Sequence, residues 1–284
     1  MVVIVMPRRN GLQRPFHPLQ VLAWGFTVWS LAFNCVVVRG VLPLLLRVSP
    51  TQPFFLALYL ALHTVVLAVA TRLTLWDPTD PVVYLYRAAQ GSKLAFDDTA
   101  YTMACSMCAS PVNAHSRHCM RCDRCVHRFD HHCKWLNNCI GACNYRWFCV
   151  LLGTLEACEL VQTVFCAAGV AAVQGKWEID GWLAVQSEVT MAFLLFHLAI
   201  SGLVILPLSH LIVLHVWLAR KGITTFEWIK GRREKAVLLK RLDLPSQAAE
   251  TSLNLTDITT KVAPETSPDF KPSDDTDRYM QVQL

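Results

Sequence analysis

Four long apolar runs constrain what this chain of 284 residues can fold into. A helix needs roughly 20 mostly apolar residues to cross a bilayer. The runs are Leu19 to Val38, Phe54 to Thr71, Trp147 to Val173 and Val189 to Ala219. A large soluble core could bury such helices, but a chain this short, with 54% apolar residues, has too little polar sequence to wrap four of them. The pattern therefore predicts an all-α integral membrane protein with four transmembrane helices.

The distribution of basic residues predicts how these helices are oriented. Lys and Arg favour the cytoplasmic side in short loops. Of the 26 Lys and Arg residues, 23 lie before the first run, between the second and third, or after the fourth. Both termini and the long middle loop are therefore predicted to be cytoplasmic. The predicted segments are a cytoplasmic N-terminus (1–18), helices 1 and 2 (19–71), a cytoplasmic zinc-binding loop (72–146), helices 3 and 4 (147–219) and a cytoplasmic tail (220–284), largely disordered after about 244.

The formal net charge of +5 is better explained by a membrane than by nucleic acid. The basic residues stand next to the apolar runs, and the sequence has no basic stripe with interleaved aromatic residues. Attraction to anionic lipid headgroups accounts for that distribution. The lipid bilayer is therefore a predicted partner, and nucleic acid is not.

A few polar side chains interrupt the apolar runs. Glu156 and Glu159 lie in the third run, where ionisable groups are costly, so they are predicted to face the bundle or a wet crevice. Three histidines of the fourth run are predicted to be packed or interfacial rather than ligands. They are His197, His210 and His215.

Cysteine is concentrated in the middle loop, where eight of the 12 cysteines fall in the 39 residues from Cys105 to Cys143. In a reducing cytoplasm such a cluster indicates metal binding or catalysis rather than disulfides. Pairs spaced C-x2-C let two thiolates reach one tetrahedral zinc ion, and two closed sites need eight ligands. The spacing supplies eight candidates without grouping them, and no internal repeat is evident. The candidates are Cys105, Cys108, Cys119, Cys122, Cys125, Cys139, His118 and His132.

Three neighbouring residues remain outside that count: Asp130, His131 and Cys133. In extended backbone the side chains of residues i and i+2 share a face, so His131 and Cys133 can face one site while His132 turns towards a metal. A cysteine beside a histidine that a carboxylate orients is typical of nucleophilic catalysis. An isolated thiol has a pKa of about 8.5, and His131, with Lys134 as a further cation, would favour the thiolate. Spacing alone also allows Cys133 to be one more zinc ligand.

These residues belong to one longer pattern. It is Cys105-x2-Cys108-x9-His118-Cys119-x2-Cys122-x2-Cys125-x4-Asp130-His131-His132-Cys133-x-Trp135-x2-Asn138-Cys139-x-Gly141-x2-Asn144-x3-Phe148. The pattern resembles the cysteine-rich domain of the DHHC-type palmitoyltransferases. Asp77-Pro78 and Thr224-Thr225-Phe226-Glu227 are similar to two flanking motifs of that family, Asp-Pro-Gly and Thr-Thr-x-Glu.

The resemblance implies a protein S-acyltransferase that moves a fatty acyl group, such as palmitoyl, from acyl-CoA through a thioester on Cys133 to cysteine thiols of substrate proteins. It implies Cys133 as nucleophile, His131 as base and Asp130 as orienting carboxylate, at the cytoplasmic face of an endoplasmic reticulum or Golgi membrane. The acyl chain would lie in a cavity between the helices. The resemblance also implies two structural zinc ions, one held by Cys105, Cys108, His118 and Cys125 and the other by Cys119, Cys122, His132 and Cys139.

The chain departs from the family pattern at a few positions. The segment from Val112 to His115 stands where the family has Lys-Pro-x-Arg, so contact with the CoA phosphates is expected from Arg117 or other cations. Lys134 replaces a common Pro, and Thr79 replaces a Gly. The three residues implied in catalysis are intact.

Two alternatives to an enzyme follow from the same motifs. A RING-type ubiquitin ligase would also be a membrane-anchored zinc module, but the final C-x2-C of a RING is absent after Cys139. A catalytically weak or inactive scaffold that recruits protein partners would share every motif. Only an acylation assay separates that scaffold from an acyltransferase.

Overall fold

The computed structural model describes residues 7–36, 52–174 and 187–241. In these ranges, helices α1 to α6 are Pro18–Val36, Gln52–Leu75, Pro81–Ser92, Tyr145–Gln174, Ser187–Lys221 and Thr225–Arg241. Strands β1 to β6 are Met103–Cys105, Ser110–Val112, Arg117–Cys119, Arg124–Val126, His131–Cys133 and Asn138–Ile140. The predicted disordered tail after about residue 244 lies outside the described residues.

Three helices in the described part of the chain are long and apolar enough to cross a membrane. They are the stretches Ala57–Leu75 of α2, Tyr145–Ala171 of α4 and Glu188–Lys221 of α5. The described apolar stretch of α1, Pro18–Phe33, is shorter than the roughly 20 residues of a full span. The mostly helical, membrane-type architecture is therefore as predicted. The fourth span and the cytoplasmic orientation remain predictions.

One apolar core joins the four long helices. Its buried residues are Phe33 of α1, Tyr59 of α2, Cys158, Phe165 and Cys166 of α4, and Leu194 of α5. The ring of Phe33 stacks on His197 of α5 with 3.6 Å between centroids. The side chains of the bundle therefore interlock across all four helices.

The two glutamates of α4 face α5, as predicted. Glu159 is only 1% exposed, and the hydroxyl of Ser201 donates a hydrogen bond to its carboxylate at 3.4 Å. The hydroxyl of Ser209 donates to the carboxylate of Glu156. These contacts give both acids a polar partner in an apolar surrounding, which lowers the cost of burying them.

The cysteine-rich loop folds into antiparallel two-stranded hairpins, in which β1 pairs with β2, β3 with β4 and β5 with β6. We call them the first, second and third hairpins. Each turn ends on a residue with left-handed backbone, and these residues are Ala109 (φ 48°), Asp123 (φ 53°) and Asn137 (φ 51°). They lie 14 residues apart. The structure thus contains a repeat that was not evident in the sequence.

The repeat shows what is different about the third hairpin. The residues that end the first strand of each hairpin are Cys105, Cys119 and Cys133. In the first two hairpins a second cysteine follows three residues later, at Cys108 and Cys122. In the third hairpin that position holds Leu136. Cys133 therefore occupies a metal-ligand position of the repeat but lacks the paired cysteine.

Asn138 fastens the third hairpin to the end of α2. Its amide nitrogen donates to the carbonyls of Leu73 at 2.8 Å and Trp76 at 2.7 Å, at the helix end where carbonyls lack helical partners. Arg124 of the second hairpin is 2% exposed, donates to the Asn138 side-chain oxygen and lies 3.3 Å from Asp77. The hairpins are therefore fixed against a membrane-type helix.

An N-terminal segment, residues 7–17, packs against the turn of the third hairpin. The Gly11 N–H donates to the Thr74 carbonyl of α2 at 2.6 Å, and the Asn137 amide donates to the Gly11 carbonyl at 3.2 Å. A Cβ at Gly11 would lie 2.1 Å from the Leu136 carbonyl oxygen, so no larger residue fits without displacement. The segment therefore holds the hairpin turn close to α2.

Helix α6, in a compact unit that begins at Gly222, starts with a capping box. The Glu227 N–H donates to Thr224 Oγ1 at 3.2 Å, and the Thr224 N–H donates to the Glu227 carboxylate at 2.8 Å. These reciprocal bonds satisfy N–H groups that a helix start leaves free. The Thr-Thr-x-Glu motif thus stabilises the start of α6.

Candidate active site and metal centres

The first two hairpins bring together four of the predicted zinc ligands. They are Cys105, Cys108, His118 and Cys125, whose donor atoms all lie within 4.8 Å of one another. His118 Nδ1 is 3.4 Å from Cys108 Sγ, and the sulfurs of Cys108 and Cys125 are 3.6 Å apart. The Asp123 carboxylate lies 3.3 Å from His118 Nε2. A carboxylate in that position orients a histidine ligand.

The second and third hairpins bring together the other four. They are Cys119, Cys122, His132 and Cys139, again within 4.8 Å. His132 Nδ1 lies 3.3 Å from Cys122 Sγ, and the sulfurs of Cys122 and Cys139 are 3.5 Å apart. Each cluster therefore combines the C-x2-C pair of one hairpin with a histidine and a cysteine of the next.

Both clusters have the composition and dimensions of a closed zinc site. A zinc–sulfur bond of about 2.3 Å puts two sulfurs of a tetrahedral site about 3.7 Å apart, close to the observed separations. A hydrogen bond with Cys125 holds the pKa of Cys108 below its usual value, against the opposing effect of burial. The clusters are therefore compatible with zinc, which when bound would crosslink the hairpins structurally and leave no open position for water.

Cys133 belongs to neither cluster. Its side chain is 7% exposed and packs in an apolar group. The other buried members of the group are Val69 and Leu73 of α2, Leu136 and Ile140 of the third hairpin, Phe148, Leu151 and Leu152 of α4, and Leu208 of α5. Cys133 therefore lies where the hairpin meets all three membrane-type helices.

His131 and Asp130 contact each other beside Cys133. His131 Nδ1 is 2.7 Å from a carboxylate oxygen of Asp130, which is 2% exposed. Burial lowers the pKa of His131, but the hydrogen bond with Asp130 and the neighbouring Cys133 sulfur outweigh burial and raise it to about 9. His132, between His131 and Cys133 in β5, contacts the second metal cluster instead. The two faces of β5 therefore differ: His132 faces the second metal cluster, whereas His131 lies on the other face with Asp130.

His215 and Tyr145 were not singled out for this site from the sequence. His215 of α5 is 4% exposed, and one of its ring nitrogens lies within 4.8 Å of ligand atoms of Asp130 and His131. The hydroxyl of Tyr145, the first residue of α4, lies 3.0 Å from His215 Nδ1. The prediction that His215 is packed holds for its burial but overlooked these polar neighbours. No local signal could have revealed them, because His131 is 84 residues away in the chain.

The segment that departs from the family pattern has a structural role here. Val112 is 3% exposed and packs in the apolar group of the first hairpin. Asn113 donates to both carboxylate oxygens of Asp80, at 2.8 and 2.9 Å. Arg117 donates from Nη1 to the Ser116 carbonyl at 2.8 Å. Contact between Arg117 and CoA remains a prediction.

The structure thus combines cysteine-rich hairpins and membrane-type helices with two zinc-type clusters and a separate Cys-His-Asp group. Residues 99–232 match the family model described as DHHC palmitoyltransferase. The resemblance predicted from the cysteine pattern is therefore confirmed over residues 99–232, which make up just under half of the chain.

Curated palmitoyltransferases are similar over part of the chain. Palmitoyltransferase ZDHHC5 of Homo sapiens is 30% identical over 128 residues, which are 45% of this chain and 15% of that protein. Palmitoyltransferase ZDHHC5-B of Danio rerio is 38% identical over 128 residues, which are 45% of this chain and 16% of that protein. The matched part of the chain thus spans less than a fifth of the length of either relative.

Proposed function

We propose that this chain is a membrane-embedded protein S-acyltransferase that carries a fatty acyl group, such as palmitoyl, on Cys133. The acyl donor is acyl-CoA, and the acceptors are cysteine thiols of proteins at the membrane. One observation carries the proposal: Cys133 lies outside both zinc-type clusters, two residues after His131 in β5, in an apolar group with side chains of three membrane-type helices. The family match and the names of the relatives support the same class of reaction.

The first step forms an acyl-enzyme. His131 takes the proton of the Cys133 thiol, and Asp130, 2.7 Å from Nδ1, orients the imidazole and stabilises its charged form. The Cys133 sulfur then attacks the thioester carbonyl of acyl-CoA. A new carbon–sulfur bond forms, the bond to the CoA sulfur breaks, and the departing CoA thiolate receives the proton from His131.

The second step transfers the acyl group to a protein. His131 takes the proton of the incoming cysteine thiol, whose sulfur attacks the Cys133 thioester. The bond to Cys133 breaks, and the proton returns to the Cys133 sulfur. Leu151 and Leu152 of α4, in the same apolar group as Cys133, begin an apolar path for the acyl chain. Each methylene buried along such a path contributes about 0.8 kcal/mol.

The metal sites and the orientation belong to the same proposal. We assign the two four-residue clusters as ligands of two structural zinc ions, since their donor sets and spacings fit closed sites. The hairpin domain and both termini are assigned to the cytoplasm. These segments hold 23 of the 26 basic residues, and basic residues favour the cytoplasmic side of a membrane. The proposed location is the endoplasmic reticulum or Golgi membrane.

Covalent labelling tests the proposal directly. Purified protein in detergent is incubated with an alkyne-tagged fatty acyl-CoA, and the hydroxylamine-labile label is mapped by mass spectrometry. We expect label on Cys133 and none at that position in Cys133→Ser. The matched control is Cys149→Ser, which removes an exposed cysteine of α4 and should label like the wild type. Wild-type protein that stays unlabelled would favour the scaffold.

Zinc content separates the nucleophile from a ligand. If Cys133 is not a zinc ligand, Cys133→Ser and the wild type, both passed over a weak chelating resin, each keep two zinc ions per chain by elemental analysis. Loss of one ion in Cys133→Ser would contradict the proposal, because the serine would then have removed a ligand.

A further inference from the structure

Asp130, His131 and His215 form a third cluster of metal-ligand side chains. Their carboxylate and imidazole atoms lie within 4.8 Å of one another. Asp130 is 2% exposed, His215 is 4% exposed and His131 is half-buried. His131 is the first residue of β5, Asp130 directly precedes it, and His215 lies in α5. The cluster thus exists only when hairpin and helix are packed together.

The donor set suits a transition ion. One carboxylate oxygen and two imidazole nitrogens are common ligands of zinc sites that keep a fourth position open. Cys133 lies two residues after His131 in β5 and is not part of this cluster.

Tyr145 orients His215, the residue of the cluster that lies in α5. Its hydroxyl is 3.0 Å from His215 Nδ1. When Nδ1–H donates to the tyrosine oxygen, Nε2 keeps its lone pair and is the nitrogen available to an ion. Hydrogen bonds of this kind fix the tautomer and ring orientation of histidine ligands.

We propose that Asp130, His131 and His215 bind a third divalent transition ion, such as Zn²⁺, and that its binding reversibly blocks acyl transfer. The ion displaces the proton that Asp130 and His131 share, and that proton goes to solvent. A neutral imidazole on the ion has its other nitrogen protonated, so His131 has no lone pair left for the Cys133 proton. The blocking effect rests on the proposed function, whereas the binding of the ion does not.

Ion counting tests the binding. Purified protein is passed over a weak chelating resin, equilibrated with Zn²⁺ alone and analysed by native mass spectrometry. We expect the wild type to bind one ion more than His215→Ala. The control His210→Ala removes an exposed histidine of the same helix and should bind as many ions as the wild type. Equal counts in wild type and His215→Ala, or loss of the ion in His210→Ala, would overturn the proposal.

A milder variant guards against misfolding. Tyr145→Phe removes only the oxygen that orients His215 and should weaken binding of the third ion about 10–100-fold, with the tightly bound zinc unchanged. Unchanged affinity for the third ion in Tyr145→Phe would count against the assigned geometry.

To test the blocking effect, the rate of Cys133 labelling is measured at increasing Zn²⁺ concentrations. The rate of each protein is divided by its own rate without added Zn²⁺. Tyr145→Phe should need about 10–100-fold more Zn²⁺ for half-inhibition, and His210→Ala should match the wild type. A third ion that binds without slowing labelling overturns the blocking role. If no protein is labelled at all, the proposed function fails, and the ion counts still decide the binding site.

Discussion

Leu136 stands three residues after Cys133, where the first two hairpins have Cys108 and Cys122. A C-x2-C turn brings two thiolates to one ion, and with leucine at the second position the third turn offers one thiolate instead of two. The same leucine, 7% exposed, joins the apolar group around Cys133. One residue therefore converts a ligand position of the repeat into a free thiol beside the helices.

Asp130 is expected to act through His131. In Asp130→Asn the side-chain amide can donate to Nδ1 and stabilise the wrong imidazole tautomer, so Cys133 labelling should slow by about 10²–10⁴-fold. Labelling rates at saturating acyl-CoA check this. Asp98→Asn, which changes an exposed carboxylate, should label normally. A fully active Asp130→Asn protein with intact zinc content would rule out the orienting role.

At the scale of single residues, the sequence predicted the metal-ligand candidates and the Cys-His-Asp group of the hairpins. It did not predict that two residues of the helices, His215 and Tyr145, lie beside them. The C-x2-C spacings and adjacent histidines marked eight ligand candidates, and the structure brings the same eight together in two clusters. His215 could not be recognised as a neighbour of Asp130 and His131. A lone histidine in an apolar run gives the same sequence signal whether it packs against apolar side chains or beside a carboxylate. Tyr145 gave no signal for the same reason.

The hairpins depend on neighbouring elements to hold Cys133. Each strand has three residues, too few for a stable sheet on its own. Asn138 ties the third hairpin to the end of α2, and Arg124 links Asn138 to the second hairpin. The sequence did not show the repeat behind these hairpins, because what recurs is mostly backbone conformation and ligand position.

Gly11 provides a test of the N-terminal segment. In Gly11→Ala the new Cβ would meet the Leu136 carbonyl oxygen at 2.1 Å, and relieving such overpacking typically costs about 1–3 kcal/mol. We expect a lower thermal unfolding midpoint and slower Cys133 labelling, because the turn that follows Cys133 must move.

The matched control for this change is Gly25→Ala. Gly25 lies in α1, and a Cβ there meets nothing within 4 Å, while alanine is the better helix former. Its stability and labelling should equal or exceed those of the wild type. A Gly11→Ala protein as stable and active as Gly25→Ala would show that the segment does not position the hairpin.

In the whole molecule, Cys133 lies where the cysteine-rich hairpins meet apolar helices. The buried groups inside the hairpins consist mostly of cysteines with a few valines, so the hairpins have little apolar core of their own. The helices, in contrast, share an apolar core that contains no metal-ligand cluster among the described residues. The two parts should therefore respond differently to loss of metal.

Removal of metal by a strong chelator is expected to unfold the hairpins and spare the helices. Limited proteolysis should cut within residues 103–140, Cys133 labelling should stop, and far-ultraviolet circular dichroism should keep most of its helical signal. Untreated protein in the same detergent is the reference. Hairpins that resist protease after complete loss of zinc would contradict structural zinc.

The sequence by itself determined the membrane-type helices, the metal-ligand candidates and the Cys-His-Asp group, because apolar length and ligand spacing are local properties of a chain. Only the tertiary structure decided that the ligands divide between successive hairpins, that Leu136 leaves Cys133 unpaired and that His215 joins Asp130 and His131. These relations link residues far apart in the chain, and the packing of the hairpins on α2, α4 and α5 brings them within contact distance.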